Sequence, residues 1–61
     1  MKQSIKAEKH IAEGKTVIVI RKDGTRHELR ERDMTRVPVF FYESLVQNEL
    51  DNGARLEFLD E

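Results

Sequence analysis

Residues 17–20 read Val-Ile-Val-Ile, and an Asp-Gly pair follows at 23–24. Four consecutive β-branched side chains resist a helix and favour a strand. Alternate side chains leave a strand on opposite faces, so Val17 and Val19 point one way and Ile18 and Ile20 the other. A strand that is apolar on both faces belongs in the middle of a sheet, covered on both sides. Asp-Gly is a strong hairpin signal of the two-residue type I′ form. The strand over residues 15–22 therefore turns back as a second strand over 25–31. Only Leu29 is strongly apolar there, and the interleaved charges suit an exposed edge.

The remaining segments fall around this hairpin. Residues 4–13 predict a short helix, with Ser4 as N-cap and Gly14 as the residue that ends it. Its apolar face is thin, made of Ile5, Ala7, Ile11 and Ala12, so it must dock or fray. Pro38 suits the first turn of a second helix, and Asn52-Gly53 suits its end. Residues 54–60 then alternate as a third strand, with Ala54, Leu56 and Phe58 inward. The expected fold is one α+β domain over residues 1–61, in the order α-β-β-α-β. Its three-stranded, mostly antiparallel sheet has order 2-1-3 and is packed by one main helix.

Sixty-one residues bury only about 60% of their unfolded surface. With no cysteine, neither a disulfide nor a thiolate metal site is available as a staple. Self-association is the staple left, and the uncovered face bearing Ile18 and Ile20 makes a homodimer the expectation. No apolar run exceeds four residues, against the roughly 20 needed to cross a bilayer. The opening segment carries no apolar stretch of the signal-peptide kind. The expected location is the cytoplasm, with no membrane association.

The second helix is unusual. On a helical wheel Val39, Phe41, Tyr42, Leu45, Val46 and Leu50 share one broad half, the expected core face. Phe40 falls opposite, among Glu43, Ser44 and Gln47. Aromatic anchors dominate protein interfaces, which makes Phe40, Glu43, Ser44 and Gln47 the candidate partner-binding set. Glu49 falls within the apolar half, and a buried carboxylate is costly unless paired. Arg55, solvent, or a cation from a partner are its expected outlets.

Charge is lopsided. Residues 1–36 balance to +4 and residues 37–61 to −5, giving the net −1. The basic excess lies on the hairpin and its exit, residues 15–36, where Arg21, Lys22, Arg26, Arg30 and Arg32 form an alternative nucleic-acid-binding set. Acids are interleaved with them, aromatics for base stacking are missing from that region, and the pI of about 6.1 is low for such a role. His10 and His27 match no metal-ligand or nucleophile constellation. The reading is a non-enzymatic protein that binds and regulates another protein, with no metal, no cofactor and no catalytic residue. Nucleic-acid binding through the hairpin is the alternative.

Overall fold

The computed structural model describes residues 2–34, 37–38 and 41–59, with the backbone alone at 33 and 34. Helix α1 spans Gln3–Ala12, strand β1 Val17–Ile20 and strand β2 Arg26–Leu29. A single 3₁₀ turn covers Glu31–Met34; helix α2 spans Tyr42–Asp51 and strand β3 Arg55–Phe58. The sheet order is β2-β1-β3, and both neighbours of β1 run antiparallel to it. The expected α+β order, the sheet and the central place of Val17–Ile20 all hold.

Both helices end where glycine permits it. Gly14 and Gly53 take φ of 84° and 89°. At each, the glycine N–H and the next N–H bond back to carbonyls of the last turn: Gly14 to Ile11, Lys15 to His10, Gly53 to Leu50 and Ala54 to Glu49. These paired bonds satisfy carbonyls that a bare helix end leaves open. The hairpin differs from the two-residue expectation. The Gly24 N–H donates to the Arg21 carbonyl and the Arg21 N–H to the Thr25 carbonyl, which closes a loop over residues 22–24. The Asp23 carboxylate accepts both the Thr25 N–H at 2.9 Å and its hydroxyl at 2.6 Å. That side-chain turn favours the longer loop.

The core lies between one face of the sheet and both helices. Ala7, Ile11, Val17, Val19 and Val46 are fully buried, and Tyr42 nearly so. Leu29, Leu50, Leu56 and Phe58 pack around the cluster. Helix α1 is thus a full partner in the core layer rather than a frayed cover. Two buried polar residues complete its inner stripe, and each is satisfied. The Ser4 hydroxyl donates to the Gln47 side-chain oxygen at 3.0 Å, so Ser4 ties α1 to α2 instead of capping α1. His10 bonds through Nε2 to the Leu59 carbonyl and meets the Phe58 ring edge-on, with centroids 5.3 Å apart.

The opposite sheet face corrects the expectation that it needs a helix or a second copy. Ile18 stands between Glu28 and Glu57, and Ile20 between Arg26 and Arg55. Arg26 on β2 reaches over the central strand to Glu57 on β3, 3.3 Å away. Long charged side chains cover apolar surface with their stems while their heads stay wet. Ile18 and Ile20 are left only 7% and 8% exposed.

Candidate functional site

Helix α2 is rotated about its axis relative to the amphipathic wheel. Tyr42 and Val46 are buried, at i and i+4, while Phe41 is 48% and Leu45 45% exposed. The cause is α1. It packs along the Gln47 flank of α2, where the Ser4–Gln47 bond joins them, and it takes part of the small sheet face. The Phe41–Leu45 flank is turned outward as a result.

Phe41 and Leu45 line an apolar cleft with Val37, Ser44 and Asn48. Across the ridge made by Ser44 and Asn48 lies a polar cleft, with Glu43, Gln47 and Asp51 on its far side. The outer face of α2 is therefore two-sided: apolar along one flank, acidic along the other. Among residues of the expected partner-binding set, Glu43, Ser44 and Gln47 do share this face. Gln47 is committed to structure, since its amide also donates to Asp51 at 2.9 Å. Phe40 lies outside the described residues. The wheel missed Phe41 and Leu45 as surface because it assigned them to the core; the run of three adjacent aromatics at 40–42, too many for one helix face, was the available signal.

Glu49 is paired within the chain, though not by Arg55. Arg21, at the end of β1, donates through Nη2 to Oε2 at 2.6 Å and through Nε to Oε1 at 3.1 Å. These hydrogen bonds, more than the charge attraction alone, hold the Glu49 carboxyl below the ordinary carboxylate range. The same contact raises Arg21. Asp23 is held low chiefly by the Thr25 hydroxyl and then by the Thr25 N–H.

The alternative basic set is largely occupied by intramolecular pairs. Arg21 is held by Glu49, Arg26 by Glu57 and Arg30 by Glu28. Lys22 is exposed and its stem lies beside Gly53. Arg30 and Arg32 share a shallow cleft with Gly14, Thr16 and Glu31, so a carboxylate sits among its cations. The two histidines are not brought together: His10 is buried under Leu59, and His27 is exposed on β2. Among the described residues no three of His, Asp and Glu are placed to hold a metal ion, and no helix is long and apolar enough to cross a membrane. Comparison with protein-family models, with curated proteins and with solved structures returned no match.

Proposed function

We propose that this protein is a non-enzymatic interaction module that regulates another protein by occupying its surface through the outer face of α2. One observation carries the reading. Two large apolar side chains, Phe41 and Leu45, stand about half exposed side by side on a helix whose chain has few apolar residues to spare. Anchors of this kind, set in a polar rim, are where interface energy concentrates. The proposed setting is the cytoplasm. Self-association remains part of the proposal on a narrower basis: with Ile18 and Ile20 sealed by Arg26 and Glu57, only the α2 cleft argues for a second copy.

The second reading, phosphate binding by the hairpin, is disfavoured by the ion pairs that Arg21, Arg26 and Arg30 already make. The test compares capture from a nuclease-treated lysate of the source cell by the wild type, Leu45→Ser and Arg26→Ala. The expected result is one stoichiometric protein held by wild type and Arg26→Ala and lost with Leu45→Ser. Capture that disappears with nuclease and with Arg26→Ala, but survives Leu45→Ser, overturns the proposal in favour of the hairpin.

A further inference from the structure

The two flanks of α2 specify more than a sticky patch. Resting on the docking reading above, we infer that the α2 face takes a basic amphipathic helix of a partner protein. Its apolar stripe would seat in the Val37–Phe41–Leu45 cleft, and its lysines or arginines would lie along Glu43 and Asp51.

The inference follows from charge and spacing. Phe41 and Leu45 are one turn apart on one side of the Ser44–Asn48 ridge. Glu43 and Asp51 lie on the other side, two turns apart. Helix α2 carries no basic residue, and residues 37–61 balance to −5. A helix laid beside α2 presents apolar and charged stripes at the same 5.4 Å turn spacing, so both can be met at once. Complementary charge selects the partner and its orientation, while the apolar anchors supply affinity. An acidic segment would be repelled along the Glu43–Asp51 flank. A second copy of α2 docked symmetrically would bring these acids against their own counterparts, which disfavours that occupant. The one cation near the inner side of α2, Arg21, is engaged bidentately by Glu49 and cannot offset the outer acids.

The test uses two designed helical peptides with one leucine pattern, one bearing lysines on the flank and the other glutamates. Binding is followed by amide NMR shifts of the intact, isotope-labelled protein at low salt. The lysine peptide is expected to shift Phe41, Ser44, Leu45 and Asn48. The double variant Glu43→Lys/Asp51→Lys should bind it about tenfold more weakly and should gain the glutamate peptide. Because Asp51 accepts the Gln47 amide, Asp51→Asn combined with Glu43→Gln serves as a shape-conserving control and should also weaken lysine-peptide binding. If both peptides bind alike at this face and Leu45→Ser abolishes both, the docking face stands and the basic partner is overturned. Shifts confined to the hairpin or the open sheet face, or no shifts with either peptide, also overturn it. Shifts of the α2 amides with protein concentration alone would make a second copy the occupant and overturn it as well. The docking reading itself is judged separately, by Leu45→Ser in the capture experiment.

Discussion

Adjacent residues Leu45 and Val46 should respond to truncation in the reverse order of their size. Val46 is fully buried between α1 and the sheet, whereas Leu45 is 45% exposed. Val46→Ala removes two buried carbons, worth about 1.6 kcal/mol at roughly 0.8 kcal/mol each. The cavity left among Ile11, Val17 and Tyr42 raises the loss to about 2–3 kcal/mol. Leu45→Ala removes three carbons, but little more than half of the residue is out of water and the gap opens to solvent. Its expected cost is about 1 kcal/mol. A core of this size supplies about 3–5 kcal/mol in all. Val46→Ala should therefore bring the protein close to unfolding at 25 °C, while Leu45→Ala stays folded. Urea denaturation followed by far-UV circular dichroism, with slopes held equal between variants, measures both. If Leu45→Ala costs as much as Val46→Ala or more, α2 is oriented as its wheel suggests, and the exposed Phe41–Leu45 flank does not exist.

Other outcomes follow from single contacts. Glu49 and Asp23 both have carboxyls held below their ordinary range, so their stabilising contributions are complete above the unfolded-state pKa, near 4, and are lost as pH falls through the folded values. Wild type and Glu49→Gln should thus differ in thermal midpoint most at neutral pH and converge in acid; a gap that widens on acidification contradicts the Arg21–Glu49 assignment. Gly53→Ala should cost about 1–2 kcal/mol because φ is 89° there, and more than Gly24→Ala, since the new Cβ also meets the Lys22 stem. In a Lys22→Ala background the two glycine substitutions should cost the same, read by chemical denaturation. The thermal midpoint should stay fixed over a hundredfold range of concentration, as expected for a chain whose open sheet face is sealed by its own side chains; a midpoint that climbs with concentration returns self-association to the lead.

The strands and the helix ends were legible because short-range chemistry writes them. Val17–Ile20 could only be a buried strand, and Gly14 and Gly53 could only be stops, so the element order and the 2-1-3 sheet followed. What could not be read depended on long-range neighbours. Nothing local says that Ser4 will meet Gln47, 43 positions away, and that bond is what marks the flank of α2 that faces α1. Glu49 drew its cation from Arg21, 28 positions back, because the end of β1 passes beneath α2. The open sheet face looked uncovered because a pattern of apolar positions ignores the reach of an arginine stem, and Arg26 spans the central strand. The candidate site was legible as a helix, α2, and as the polar residues Glu43 and Ser44; its apolar half was not, since its exposure is a consequence of α1.

The most direct test of the docking face is site-specific photocrosslinking in the source cell, with a photoreactive residue placed singly at Leu45, at Glu13 or at Arg55. Leu45 lies in the apolar cleft, whereas Glu13 and Arg55 are exposed elsewhere on the molecule. The account predicts one discrete protein adduct from position 45, resistant to nuclease, and none from positions 13 and 55. Adducts from position 55 or 13 without one from position 45, or adducts that vanish with nuclease, would contradict it.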